Sequence, residues 1–192
     1  MKVLAIGGSP RRGGNTDFLL DQFLDGARNA GAIVEKVVLN ELNFRPCQEC
    51  GGCSGTGKCV LRDGMSPVYR KVEDSDILVV AAPVFFGTVT AQLKAMIDRF
   101  HCVWISKNVL KKKSALFRKK RKGIFICAAA DKKRKYFERS KKTVKIFFNT
   151  VGAGYSADLF CGGLEAKGAA RGARGISKKA LRLGKTLAAR RK

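Results

Sequence analysis

The run Asp76-Ile-Leu-Val-Val-Ala-Ala82 sets the first constraint on this chain. It has no polar residue between Ile77 and Ala82, so neither face of a strand built from it can meet water. A strand buried on both faces belongs inside a parallel sheet with helices packed above and below. The rest of the chain alternates accordingly. Residues 2–8, 33–39, 123–130 and 155–161 read as further strands. Helical spacing of apolar residues predicts helices over 17–30, 66–74, 91–105, 134–151 and 176–190, the first from Leu19, Leu20, Phe23, Leu24 and Ala27. Five strands separated by helices predict an α/β, doubly wound five-stranded parallel sheet in the order 2-1-3-4-5. At 192 residues, one domain over 1–192 is expected. No internal repeat is visible, and 168–175, rich in Gly, Ala and Arg, reads as a flexible link.

On such a sheet ligands bind beyond the carboxyl ends of the strands, where the order reverses between strands 1 and 3. The loop after strand 1 is Gly7-Gly8-Ser9-Pro10-Arg11-Arg12-Gly13-Gly14-Asn15-Thr16. It lies between a strand end and a helix start, where free N–H groups and the helix dipole favour an anion. Ser9, Asn15 and Thr16 offer side-chain donors, Arg11 or Arg12 offers charge, and Gly13 keeps the turn open. No Lys-Ser/Thr pair follows the glycines, so this is not a nucleoside-triphosphate loop, and G-x-G-x-x-G is absent. The loop after strand 3 is Pro83-Val84-Phe85-Phe86-Gly87-Thr88. Convergence of the two predicts one mononucleotide site, with residues 128–130 at the end of strand 4 facing it.

After strand 2 comes a cysteine-rich loop over 44–64, containing Cys47-Gln-Glu-Cys50-Gly-Gly-Cys53-Ser-Gly-Thr-Gly-Lys-Cys59. Four thiols so close in sequence can meet at one centre without long-range folding, and the interspersed glycines allow the backbone to wrap. Zinc and an iron–sulfur cluster are both held this way. The tight C-x2-C-x2-C triplet favours the cluster, since structural zinc more often takes two separated pairs; a disulfide or free thiols remain open readings. Cys102, Cys127 and Cys161 read as isolated small buried residues. His101, the lone histidine, reads as structural or as part of a subunit contact.

Charge divides the chain. Residues 1–106 carry 12 basic and 11 acidic side chains, whereas 107–192 carry 27 and 4. A solvated surface accounts for part of this, and a polyanionic partner, acidic protein or nucleic acid, for the rest. The opening Met-Lys-Val-Leu reads as a strand and not a signal peptide, and the apolar run over 77–86 is too short to span a bilayer. A cytoplasmic, non-membrane protein is expected, in which seven cysteines serve as ligands or stay reduced.

Taken together, Gly7 to Arg11 with Asn15-Thr16, the four-cysteine loop, Ala82 to Gly87, and Gln92-Leu93-Lys94 with Ile97-Asp98-Arg99 resemble the iron–sulfur flavoproteins of the NAD(P)H-dependent FMN reductase superfamily. The resemblance implies a flavodoxin-like fold binding FMN, its phosphate gripped by Ser9, Arg11, Asn15 and Thr16 and its isoalloxazine ring set against residues 83–88. It also implies a [4Fe-4S] cluster on Cys47, Cys50, Cys53 and Cys59, NAD(P)H as an electron donor, and a homodimer or homotetramer. Phe85 stands where relatives commonly carry Tyr, so ring stacking is kept and a hydroxyl is lost.

The expected function is a redox flavoprotein passing electrons through FMN and the cluster between a reduced donor and an acceptor such as an acidic ferredoxin. A cluster-free FMN or quinone reductase is the alternative within enzymes. A basic nucleic-acid-binding protein on the same scaffold is the alternative outside them. Only Phe117 lies within the basic stretch 107–122, which is poor in the aromatic platforms that single-stranded nucleic acid needs.

Overall fold

The computed structural model describes residues 1–113, 115–118 and 120–189. Among these, five strands form one sheet: β1 (Lys2–Gly7), β2 (Ile33–Val38), β3 (Ile77–Pro83), β4 (Arg121–Ala128) and β5 (Ala153–Cys161). Their order is β2-β1-β3-β4-β5 and every neighbouring pair is parallel. The flavodoxin-like arrangement expected from the sequence is therefore present. The helices are α1 (Asn15–Asn29), α2 (Ser66–Asp74), α3 (Ala91–Arg99), α4 (His101–Trp104), α5 (Ala115–Arg118), α6 (Arg134–Thr150), α7 (Ala169–Gly172) and α8 (Arg174–Ala188).

Strand side chains alternate between two cores. Leu4, Ile6, Leu78, Val80 and Phe125 pack with Val68, Leu93, Met96, Val144 and Phe148 under α2, α3 and α6. Val3, Ala5, Val79, Ile124 and Ile126 pack with Leu19, Phe23, Ala27 and Ala180 under α1 and α8. Ile77 through Ala82 are all fully buried, as the double-faced burial of a central strand requires.

Two elements depart from the sequence reading. The helix expected over 91–105 is interrupted at Phe100 (φ −76°, ψ 4°), giving α3, the short α4 and a π-helical turn over Ile105–Val109. The supposed flexible link contains α7 and the first turn of α8, and it is tied down where the Ala170 N–H donates to Asn15 Oδ1 at 3.0 Å. The expected helix end at Arg190 lies outside the described residues.

The basic second half is partly architectural. Lys141 pairs with Asp158 at 2.8 Å and lies over the Phe137 and Tyr155 rings, while Arg134 lies over Phe137 and Phe160, so cations cover the aromatic flank of edge strand β5. Arg121 is buried, and its guanidinium donates to the carbonyls of Leu116, Val151 and Glu73 at the ends of α5, α6 and α2. A cation suits the negative ends of those helix dipoles.

Helix α8 crosses α1 at its closest through two glycines. A Cβ on Gly184 would collide with the carbonyl oxygen of Phe23, and one on Gly26 with that of Leu181. Since both obstacles are backbone, neither can rotate away. Gly184→Ala is expected to destabilise the protein by about 3 kcal/mol, read as a lower urea midpoint; an unchanged midpoint would show that the helices do not meet there.

Candidate functional site

The turn after β1 is held by contacts that the chain makes to itself. The Gly8 N–H donates to Ala81 O at 2.7 Å, and the Thr90 hydroxyl donates to Gly8 O at 2.5 Å while accepting from the Leu93 N–H at 3.3 Å. A Cβ on Gly8 would stand 2.9 Å from Leu93 Cβ, so only glycine allows α3 to approach this closely. Further on, the Ser9 hydroxyl accepts from the Arg11 N–H at 3.2 Å, and the Gly13 N–H donates to Asp17 Oδ2 at 2.8 Å. Asp17 also pairs with Lys36 at 2.6 Å. Burial pushes the Asp17 carboxyl up, but Lys36 and the Gly13 N–H outweigh it and hold it below its ordinary value. Gly14, at the N-cap of α1, supplies no side-chain cap. The first N–H groups of that helix are thus left for a ligand or solvent.

Around this turn the ends of three strands enclose a cavity of about 230 Å³ lined by Ser9, Arg11, Asn15, Thr16, Pro83, Val84 and Phe85. Ala128–Ala130 line it too, as expected, together with Leu164, Glu165 and Lys167. Backbone bonds sew these loops together: Val84 N–H to Ala128 O at 2.9 Å, and Leu164 N–H to Ala129 O at 2.9 Å. Asn15 has a further task, since its carboxamide donates to Leu164 O and Ala166 O at 3.1 and 2.8 Å. It fixes the loop after β5 as one wall.

Other residues expected in this site stand at its margin. Arg12 pairs with Glu41 at 2.5 Å on the surface. Phe85 and Thr88 exchange backbone hydrogen bonds of 2.9 and 3.0 Å, which turns the chain at Phe86 and Gly87, both at positive φ. The Phe86 ring is fully exposed at the tip of that turn.

A second cavity, of about 270 Å³, is lined by Cys47, Cys50, Cys53 and Cys59 of the loop. Burial raises the Cys53 thiol above its ordinary value, and the neighbouring Cys59, Cys47 and Cys50 raise it further. Among the described residues, no three His, Cys, Asp or Glu side chains are grouped as a site for one metal ion. The chain presents a thiol-lined cavity, not a closed ligand shell. The loop is closed at its base by Asp63, which accepts from the Arg45 and Met65 N–H groups and pairs with buried Arg99 at 2.6 Å.

Cys102 is not isolated, contrary to the sequence reading: with His101 and Arg99 it lines this same cavity. The break at Phe100 separates it from α3, and no local spacing reveals that. Burial, with Cys59 nearby, pushes its thiol up to about 11. Cys127 and Cys161 are buried and their thiols raised, Cys161 to about 12 by burial. Asp17, Asp63 and Thr90 hold the two loops as well, and no motif singles them out. An acid in a helix's first turn and a Thr before one were the available signals.

A parallel sheet carrying a glycine-rich turn and a slot at its switch point defines a doubly wound α/β protein of the flavodoxin-like kind. The family model "NADPH-dependent FMN reductase" matches residues 1–153, and the chain belongs to that family. An iron–sulfur flavoprotein of Archaeoglobus fulgidus is 44% identical over 99 residues, 52% of this chain and 45% of the relative. One of Methanosarcina thermophila is 38% identical over 99 residues, 52% of each. The chain thus spans about half the length of the curated relatives it matches. Among solved structures, an NAD(P)H:quinone oxidoreductase from Methanothermobacter marburgensis aligns with TM-score 0.72 at 19% identity, covering 100% of this chain and 98% of that one. An FMN-dependent NADH-azoreductase from Bacillus anthracis, in complex with FMN, gives 0.71 at 14%, covering 97% and 99%. At such identities these two show the fold.

The Asp17 contacts carry a pH signature. A carboxyl whose folded value lies below its unfolded one adds stability above about pH 4, lost as pH falls through the folded value. Asp17→Asn is therefore expected to cost about 1–3 kcal/mol near pH 7 and progressively less as pH falls below about 4. Urea titrations across that range check it, and a pH-independent difference would overturn it.

Proposed function

We propose that this chain is an FMN-dependent oxidoreductase whose cysteine loop carries a [4Fe-4S] cluster, relaying electrons between a reduced donor such as NAD(P)H and an acceptor. The cavity at the β1–β3 switch point carries this reading. Its lining combines Arg11, Ser9 and the uncapped start of α1 for a phosphate with Pro83, Val84, Phe85 and Ala128–Ala130 for a flat ring. FMN, when bound, would accept a hydride and release its electrons singly, while a cluster carries one at a time. The chain's own part is to hold the phosphate, to keep water from the ring's inner face, and to position the loop cysteines.

The two cavities share one support. Thr90 ahead of α3 is bonded to the Gly8 turn and Arg99 at its end lines the cysteine cavity, so a nine-residue helix, ~14 Å long, joins them. Four soft thiols with room between them suit a cluster, whereas one zinc would draw its sulfurs to within about 4 Å of each other. The names of the relatives in Archaeoglobus and Methanosarcina support the same choice. Arg12 and residues 86–88, beside the cavity, belong to its entrance in this reading. A groove of about 400 Å³ bearing exposed Trp104 and Ile146 supports assembly with a second copy. No helix among the described residues is long and apolar enough to cross a membrane.

Anaerobically purified protein is expected to show flavin and broad iron–sulfur absorption, with acid-labile sulfide matching iron. Arg11→Ala should weaken FMN retention about tenfold or more, and Cys50→Ser should abolish sulfide while FMN stays bound. Stoichiometric zinc without sulfide would defeat the cluster, and unchanged FMN affinity in Arg11→Ala the phosphate assignment.

Lys132, Lys133 and Lys135 are exposed just beyond Ala128–Ala130, which supports an acidic protein carrier as acceptor. Electron transfer to such a carrier is expected to slow steeply with added salt, and transfer to a small neutral quinone not to. Equal salt dependence for both would assign the basic surface another role.

A further inference from the structure

The cysteine cavity has a floor that the loop itself does not supply. Arg99, at the end of α3, is 1% exposed and lines the cavity beside the loop cysteines and Cys102. Its terminal nitrogens are held: Nη1 donates to Arg45 O at 2.7 Å and to Asp63 Oδ2 at 2.6 Å, and Nη2 to Asp63 Oδ1 at 3.1 Å. Asp63 is fixed in turn by the Arg45 and Met65 N–H groups at 3.2 and 3.0 Å. The Tyr69 hydroxyl holds the backbone of the same residue, donating to Arg99 O at 3.1 Å. The guanidinium therefore has little freedom to turn.

One donor remains over. Arg99 Nε is buried and has no hydrogen-bond partner among the described residues. A buried N–H without an acceptor is costly, and native structures rarely leave one so. Arg121 Nε is likewise unpartnered, but that guanidinium sits among helix-end carbonyls and lines no thiol cavity. The cavity distinguishes the two. Cys59 lines the same cavity as this side chain. Thiolate and sulfide sulfurs accept hydrogen bonds, and such bonds help set the potential and geometry of the centres they face.

We propose that Arg99 Nε–H donates to a sulfur of the metal–thiolate centre at its Cys59 side, with Asp63 clamping the guanidinium in that orientation. Arg99 is then a positioning residue for the centre, not a ligand. The proposal rests on reading the cysteine loop as an iron–sulfur site. Because Asp63 balances the Arg99 charge, the pair acts on the centre chiefly through the N–H dipole. Removing that dipole disfavours the more negative, reduced state, whereas removing the Asp63 charge alone leaves an uncompensated cation beside the centre.

The two halves of the clamp thus have opposite consequences, which a purely structural brace would not produce. In anaerobically purified holoprotein, Arg99→Lys is expected to keep its iron and sulfide, to lower the midpoint potential and to shift the Fe–S stretching bands in resonance Raman spectra. Asp63→Asn is expected to raise the potential. Unchanged potential and bands in Arg99→Lys at full cluster content would overturn the proposal. Should Arg99→Lys lose its cluster, Asp63→Asn decides through its Fe–S stretching bands: bands shifted because the unclamped guanidinium turns support the proposal, and bands equal to the wild type's overturn it. A wild-type protein free of iron and sulfide would instead overturn the cluster reading on which the proposal stands.

Discussion

Everything in this structure follows from the burial of β3 on both faces. Ile77 to Ala82 expose no surface, so each face needs a helical layer, and parallel neighbours can be joined only by crossovers that supply those layers. One consequence is chemical. Parallel strands place all their carboxyl ends on one edge, and β1 and β3 lie side by side there with their crossovers leaving to opposite sides. The Gly8 turn and the loop from Pro83 then have to meet, and the space between them is the cavity.

Within that frame the polar groups that matter are those that the apolar layers have enclosed. Thr90 is fully buried and spans from the cap of α3 to the Gly8 carbonyl. Arg99 is buried at the other end and binds the base of the cysteine loop through Asp63. Helix α3 is consequently a strut with one anchor at each cavity.

The charge of the second half is not one property. Arg121 serves three helix ends, Lys141 and Arg134 cover aromatic rings along β5, Lys135 is exposed and lies over the Tyr136 ring, and Lys132 and Lys133 are exposed. Arg134 is exposed as well as the three lysines, so it too can meet a partner. Net charge by itself does not separate these roles, because cation–π contacts and carbonyl caps are invisible in composition.

Strand order, the glycine-rich turn after β1 and the grouping of four cysteines were legible in the sequence, since each rests on local rules: apolar runs, helix periodicity, and residue spacing within one loop. The same rules located Ser9, Arg11, Thr16 and Pro83 to Phe85 at the cavity. They did not show that Asn15 would bind the loop after β5, that Cys102 would join the cysteine cavity, or that 168–175 would be ordered. Asn15 meets its partners across 149 to 155 residues of chain, and Cys102 reaches the loop only because the helix breaks at Phe100. Local pattern determined which elements form and where the glycine-rich turn and the thiols lie. Tertiary packing alone decided which buried donors and acceptors face one another, because those pairings depend on how distant segments close over a shared interior.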